Sequence, residues 1–158
     1  MIYVVGRDHD AQSGDRIPFL LDSARVIGER DQFLRLVERI LIDQKVEFVA
    51  EEWGRKSESF AEALTKKLTV RYLNINTTFE DLNALQIPSD YMESPCYTEQ
   101  ERRVWLQRRE RFMLEKIHSA RGTAKTLLVI CGFCHLKPLA EMLGDGERVI
   151  PVDYREEA

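Results

Sequence analysis

The sequence predicts an α/β fold with a mostly parallel sheet of about five strands and helices on both faces. Short runs of apolar, largely β-branched residues recur along the chain, and amphipathic segments with helical spacing separate them. Strands that alternate with helices form βαβ units, in which the strands pair in parallel. A chain of 158 residues is long enough for one sizeable core. We therefore expect residues 1–158 to form a single α/β domain.

The first half of the chain is predicted to contain three strands and two helices. The strands are apolar runs bounded by turn residues, and the helices show apolar positions three or four residues apart. Gly14 and Pro18 lie in a loop that is long enough to cover a site. In chain order, the predictions are strand 2–5, loop 10–23, helix 31–44, strand 46–52, helix 57–67 and strand 68–75.

The second half is predicted to contain a long helix, a short helix and two strands. Thr98 and Glu101 form a capping box that starts the long helix, and Gly122 lies just beyond its end. Thr78 is placed to open a helical turn before it. The predicted elements are helix 98–119, strand 126–131, helix 136–143 and strand 148–152.

The charge pattern argues against a dedicated nucleic-acid-binding protein. The net charge is −4, whereas such proteins carry a basic footprint. Five arginines cluster between residues 102 and 111, but glutamates are interleaved with them. We expect most of these charges to lie on a solvated helix face, with pairs such as Glu110 and Arg111 near each other.

Nothing in the sequence predicts membrane insertion or export. The longest apolar stretch, 127–131, is far too short to span a bilayer. No charged segment followed by an apolar one precedes the first strand. Three cysteines, an odd number, fit a reducing compartment better than a disulfide scaffold. We therefore expect a cytoplasmic protein that has no membrane partner.

A Gly-x-x-His motif occurs twice, each time after a predicted strand. The first runs from Gly6 to His9, and the second runs from Gly132 to His135. In an open α/β sheet, ligands bind beyond the carboxyl ends of the parallel strands. Two imidazoles from opposite ends of the chain are therefore predicted to meet in one crevice. We take His9 and His135 as candidate catalytic residues.

Two carboxylates follow the second predicted strand. Glu51 and Glu52 come directly after the apolar residues 48–50. Because side chains alternate across a strand, the two carboxylates point to opposite faces, and one of them can face the same crevice as His9. The alternative is that both mark the exposed exit of the strand, neutralised by Arg55. Glu51 and Glu52 are both candidate catalytic residues at this point.

An arginine falls on the apolar side of the predicted long helix. Arg109 is four residues from both Trp105 and Met113, which belong to that helix's apolar stripe. An arginine that faces a core needs an anionic partner, for which Glu51, Glu52 or a bound substrate are candidates. The alternative is that Arg109 extends to solvent from the edge of the stripe. The predicted stripe consists of Val104, Trp105, Phe112, Met113 and Ile117.

In combination, these motifs resemble a clan that contains TraB, the TIKI proteins, the haem-regulated ChaN lipoproteins and the erythromycin esterases. Its families share a G-x-x-H near each end and a glutamate after the strand that follows the first motif, and several carry R-[ND]-x-x-M-A in a helix. The chain is most similar to small bacterial proteins with G-x-x-H-x-x-Q and a Glu-Glu pair. The matching positions here are Gly6, His9, Gln12, Glu51 or Glu52, 109–114, Gly132 and His135.

The resemblance and the residues together predict a hydrolase-like enzyme acting on a small-molecule or peptide substrate. In one mechanism, His9, Glu52 and His135 hold a divalent metal ion that activates water. In the other mechanism, a histidine oriented by the glutamate is the general base, and Arg109 stabilises the developing oxyanion. The resemblance leaves the choice between them open, because members of the clan use both metal-dependent and metal-independent chemistry.

Two other kinds of function remain open from the sequence. The same pocket could bind an anionic small molecule on Arg109 and the histidines without turnover. Alternatively, Cys131 and Cys134 form a Cys-x-x-Cys pair at the predicted start of a helix, as in thiol redox proteins. With His135 the pair also matches the haem c attachment signature, but that chemistry belongs to exported proteins.

Overall fold

The computed structural model contains a five-stranded, all-parallel sheet, which confirms the predicted α/β class. It describes residues 1–7, 24–144 and 147–153, with the side chains of 1–6, 31–144 and 147–152. The predicted loop 10–23 and the candidate His9 lie outside the described residues. The described elements are β1 (Ile2–Arg7), α1 (Ala24–Asp43), β2 (Phe48–Glu51), α2 (Phe60–Leu68), β3 (Arg71–Asn74), α3 (Phe79–Ala84), α4 (Glu99–Arg121), β4 (Leu127–Gly132), α5 (Phe133–Leu143) and β5 (Val149–Asp153).

Two helices begin earlier than the sequence pattern predicts. Helix α1 starts at Ala24 rather than near residue 31, because the residues before 31 are mostly good helix formers and tolerate the single Gly28. Helix α5 starts at Phe133 rather than Leu136, directly after Gly132 as its N-cap residue. This earlier start places His135 inside the first turn of α5. The second Gly-x-x-His motif is therefore a junction between a strand and a helix.

The central strand of the sheet, β4, lies between β2 and β1. The strand order is β3-β2-β4-β1-β5. The chain leaves β2 toward β3 at one edge of the sheet, and it leaves β4 toward β5 at the other edge. Adjacent strands whose connections run in opposite directions leave a crevice between their carboxyl ends, and this is the usual ligand-binding position in open parallel sheets. In this chain, that position lies between the ends of β2 and β4.

Each face of the sheet is covered by its own group of helices. On one face, α1 and α2 pack against residues such as Val5 and Val49. On the other face, α4 and α5 pack against the alternate strand residues, such as Val4 and Ala50. This alternation follows from the two-residue period of a strand. No helix in the described ranges is both long and apolar enough to cross a membrane.

One glycine allows close contact between β1 and α5. A Cβ atom on Gly6 would lie 2.8 Å from Cβ of Leu136, well inside van der Waals contact. Gly6 also pairs in register with Cys131, and Arg7 pairs with Gly132. The glycine of the first Gly-x-x-His motif therefore packs against the helix that carries the histidine of the second motif.

Candidate functional site

The two adjacent carboxylates at the carboxyl end of β2 lie on opposite faces of the sheet. Glu51 accepts hydrogen bonds from Ser59 and Tyr72 on the face covered by α1 and α2. Glu52 accepts a bond from the backbone N–H of Gly132 to its Oε2 at 2.9 Å, next to α4 and α5. Both side chains are buried, so neither marks an exposed strand exit. Glu52 is the carboxylate at the crevice between β2 and β4.

Arg109 connects Glu52 to the two chain segments that flank α3. Its Nη2 donates to Oε1 of Glu52 at 2.8 Å, its Nε donates to Oγ1 of Thr77 at 2.8 Å, and its Nη1 donates to the hydroxyl of Tyr91 at 2.7 Å. The Arg109 side chain is only 16% exposed. Arg109 therefore faces the interior with an anionic partner, as its place on the apolar stripe predicts.

His135 lies between two carboxylates from different elements. Its Nδ1 is 3.0 Å from Oε1 of Glu110 on α4, and its Nε2 is 3.6 Å from Oε1 of Glu52. The imidazole is almost fully buried, with 1% of the side chain exposed. Because Oε1 of Glu52 also accepts the bond from Arg109, the four side chains form one connected cluster of two acids and two bases. We call Glu52, Arg109, Glu110 and His135 the buried charge cluster.

The cluster favours the charged forms of both of its bases. Burial alone would lower the pKa of His135, but hydrogen bonds to Cys134 and Glu110 and the charge of Glu52 outweigh it and raise the pKa to about 9. Burial likewise opposes the charge on Arg109, yet Glu52 and Tyr91 raise the pKa of the guanidinium above its usual value. At neutral pH the cluster therefore holds two positive charges beside Glu52 and Glu110.

Glu110 is the member of the cluster that the sequence analysis missed. We expected it on a solvated face beside Arg111, but its side chain is buried. The sequence feature that predicts its burial is helical spacing. Glu110 lies three residues before Met113 and seven before Ile117, both of which are also buried. The predicted stripe was wrong at Val104, which is 42% exposed. The buried side of α4 includes Glu110 and not Val104, and Glu110 contacts His135 of α5.

The two cysteines of the Cys-x-x-Cys pair have different environments. Cys131 is fully buried in the core beneath α4 and α5, and burial raises the pKa of its thiol well above the usual value. Cys134 is exposed in the first turn of α5. Both are free thiols, as is the exposed Cys96.

The structure describes two of the three predicted metal ligands. Glu52 and His135 lie close together, and His9, the third predicted ligand, lies outside the described residues. Within the described residues, no three His, Cys, Asp or Glu side chains converge on a point where an ion could bind. A metal held by Glu52 and His135 would have to compete with Arg109 for the carboxylate and with a proton for the imidazole.

Comparisons of the chain with models of protein families, with curated proteins and with solved structures found no match. The resemblance to the TraB and TIKI clan therefore stays a prediction. Since a fold alone does not determine a reaction, function has to be inferred from the chemistry of the site.

Proposed function

We propose that this protein is a hydrolase-like enzyme that cleaves an ester or amide bond in a small-molecule or peptide substrate. The observation that carries the proposal is the buried charge cluster at the carboxyl ends of β2 and β4. A cluster of ionisable groups at this position in an open parallel sheet is typical of an active site. The ordinary structural role of such a cluster is to fix α4 and α5 on the sheet, and the tests below separate the two roles.

The chemistry follows from the charges that the cluster holds. Arg109 supplies positive charge close to where the oxyanion of an attacked carbonyl would form. His135, oriented by Glu110, can protonate a leaving group, because its raised pKa keeps it protonated at neutral pH. Because His135 is then the acid, we assign the activation of water to the histidine of the other Gly-x-x-His motif, His9. Glu52 is assigned the role of holding the adjacent positive charges in place.

The alternative functions fit these contacts less well. Capture of an anionic small molecule by Arg109 without turnover would leave the contact between His135 and Glu110 without a chemical role. A redox pair needs a thiolate that can be reached, whereas Cys131 is fully buried. A metal-dependent version of the hydrolase remains an outcome of the experiment.

The test is hydrolysis of a panel of p-nitrophenyl esters and chromogenic peptides by the wild-type protein, Glu52→Gln and Glu51→Gln. These adjacent carboxylates are matched controls, since both are buried but only Glu52 faces the cluster. We expect Glu52→Gln to reduce kcat/KM by about a hundredfold or more, and Glu51→Gln to retain activity. Circular dichroism must show that both variants are folded.

Metal dependence is tested on the same substrates with EDTA and with added Zn²⁺ or Mn²⁺. Activity that survives EDTA supports the general-base mechanism, and activity that is lost and then restored by a metal supports the metal mechanism. Turnover on no substrate, with or without metal, would overturn the proposed function. Equal activity in wild type and folded Glu52→Gln would overturn the role of the cluster.

A further inference from the structure

The two hydroxyl groups that hold Arg109 each have a hydrogen that the contacts described above do not use. Arginine only donates, so Tyr91 and Thr77 accept from its Nη1 and Nε, at 2.7 and 2.8 Å. Their own O–H hydrogens have no acceptor among the described residues. Tyr91 is 3% exposed and Thr77 is 7% exposed. Because a buried donor without an acceptor is unfavourable, these hydrogens indicate a place for an acceptor outside the described residues.

The guanidinium of Arg109 adds further donors at the same place. It carries five N–H hydrogens, and its bonds to Glu52, Thr77 and Tyr91 use one hydrogen on each nitrogen. The second hydrogens of Nη1 and Nη2 therefore have no acceptor among the described residues. The Arg109 side chain is 16% exposed, against 1% for Glu52 and His135. Arg109 is thus the member of this group that is most accessible from outside.

The surplus of donors defines the chemistry of the group that fits here. A site with donors in excess suits a group that only accepts hydrogen bonds, and it suits a negatively charged one best. Because the Tyr91 oxygen and Nη1 of Arg109 are 2.7 Å apart, one oxygen atom can accept from both. A carbonyl oxygen that becomes an oxyanion during hydrolysis is such an atom.

We propose that Tyr91 is a catalytic residue whose hydroxyl donates to the carbonyl oxygen of the substrate, beside Arg109, with Thr77 as a further donor. The inference rests on the hydrolase function proposed above, in which Arg109 alone stabilises the oxyanion. The bond that Tyr91 accepts from Arg109 also makes its O–H a stronger donor, because hydrogen bonds in a chain polarise one another.

The reaction balances without a proton transfer at Tyr91. Water adds to the carbonyl carbon, its proton passes to the base, and the carbonyl electron pair moves to the oxygen beside Tyr91 and Arg109. The pair then re-forms the carbonyl, the bond to the alcohol or amine breaks, and His135 gives the leaving group a proton. The base returns a proton to His135 through solvent. Because the hydrogen bond from Tyr91 strengthens while the oxygen is charged, it lowers the barrier more than it tightens substrate binding.

The first test compares Tyr91→Phe with Tyr97→Phe on the substrates that the wild-type protein hydrolyses. Each change removes one hydroxyl, and that of Tyr97 lies 3.4 Å from Asp90, outside the buried charge cluster. We expect Tyr91→Phe to lower kcat by about a hundredfold with KM changed by less than about threefold, and Tyr97→Phe to behave as wild type. Undiminished hydrolysis by a folded Tyr91→Phe would overturn the inference and leave the hydrolase function standing.

A tyrosine fluorinated next to its hydroxyl, incorporated at position 91, separates donation to the substrate from positioning of Arg109. The fluorine makes the hydroxyl a stronger donor and a weaker acceptor, so the two roles predict effects of opposite sign. If Tyr91 donates to the oxyanion, the fluorinated protein should bind phenylphosphonate, a tetrahedral anion, more tightly than wild type at pH 7. Weaker binding would show that Tyr91 only positions Arg109 and would overturn the inference. Since the hydroxyl is kept, this test also decides if Tyr91→Phe does not fold.

Thr77→Val and Thr77→Ser test the second hydroxyl. Valine has nearly the shape of threonine without the hydroxyl, whereas serine keeps the hydroxyl. We expect Thr77→Val to lower kcat by about tenfold, as for the loss of one ordinary hydrogen bond, and Thr77→Ser to retain most of the activity. Equal kcat values in the two folded variants would overturn the role of Thr77.

Calorimetric titration with phenylphosphonate distinguishes failure of this inference from failure of the proposed function. If the protein hydrolyses no substrate, weaker binding to Tyr91→Phe than to the wild-type protein would support the donor site and overturn the hydrolase. Binding of equal strength to both proteins, or to neither, would overturn the inference.

Discussion

Arg109 donates from Nη2 to Oε1 of Glu52 across 2.8 Å, and both side chains are largely withdrawn from solvent. The contact joins residues that are 57 positions apart in the chain. Neutralising one partner of a buried ion pair strongly lowers the free energy of unfolding, because it leaves the remaining charge uncompensated.

Neutralising Glu52 should strongly destabilise the fold. In Glu52→Gln, Arg109 keeps its charge but loses its anionic partner, and we expect the free energy of unfolding to fall by about 3–5 kcal/mol. Urea denaturation followed by circular dichroism measures this loss. A decrease of less than about 1 kcal/mol would mean that the pair is not effectively desolvated.

Stability should decline as the pH rises from neutral to alkaline. Burial opposes the charge on His135, but Cys134, Glu110 and Glu52 outweigh it and raise the pKa of His135 from 6.5 to about 9. The stabilisation is complete below the unfolded-state pKa of 6.5 and is lost as the pH passes through 9. We expect a loss on the order of 3 kcal/mol, measured by urea denaturation between pH 6.5 and 10.

The control for this pH dependence is the exposed His118 near the end of α4. His118→Asn should keep the alkaline decline, and His135→Asn should lose most of it. The same decline in both variants would show that other groups cause it.

Adding a methyl group to Gly6 should destabilise the contact between β1 and α5. Its Cβ would lie 2.8 Å from Cβ of Leu136, so Gly6→Ala should cost about 1–3 kcal/mol through overpacking. The matched control is Gly54→Ala, because a Cβ there would meet only Nδ2 of Asn76 at 3.5 Å. Combining Gly6→Ala with Leu136→Gly should cost less than the sum of the two single changes. Additive costs would contradict the proposed contact.

Removing the hydroxyl of Tyr91 should cost about 1.5–3 kcal/mol, the usual value for a buried hydrogen bond to a charged group. Tyr91 is 3% exposed, and its oxygen accepts from Nη1 of Arg109 at 2.7 Å. Tyr97→Phe is the comparison, because among the described residues the Tyr97 hydroxyl makes one long contact, 3.4 Å with Asp90. We expect that change to stay within about 0.5 kcal/mol. Thermal and urea unfolding of both variants measure the difference.

The sequence pattern predicts the sheet and its helices because apolar runs and helical spacing depend on local physics. Arg109 is predictable for the same reason, since a charge on an apolar stripe requires a partner. The sequence does not show whether Glu51 or Glu52 is the partner of Arg109. Alternation shows that they face opposite sides, but only the packing of α4 decides which side holds Arg109.

The burial of Glu110 is difficult to predict because of its charged neighbours in the sequence, and not because of its spacing. Its distance from Met113 and Ile117 places it on the buried face, but the surrounding arginines and glutamates suggest a solvated surface. A buried acid becomes recognisable only when its partner is known, and His135 reaches it from α5. Short-range patterns carry no information about contacts of this kind.

The contact between Gly132 and Glu52 also affects the order of assembly during folding. These residues are 80 positions apart, whereas His135 and Glu110 are 25 apart. A nascent chain that has completed β2 and β3 contains Glu52 but none of its partners on α4 and β4. Only the insertion of β4 between β2 and β1 brings Gly132 to Glu52 and positions α5 over α4. The buried charge cluster should therefore form late in folding, together with the completion of the sheet, so that recovery of the proposed hydrolase activity reports the final step of refolding.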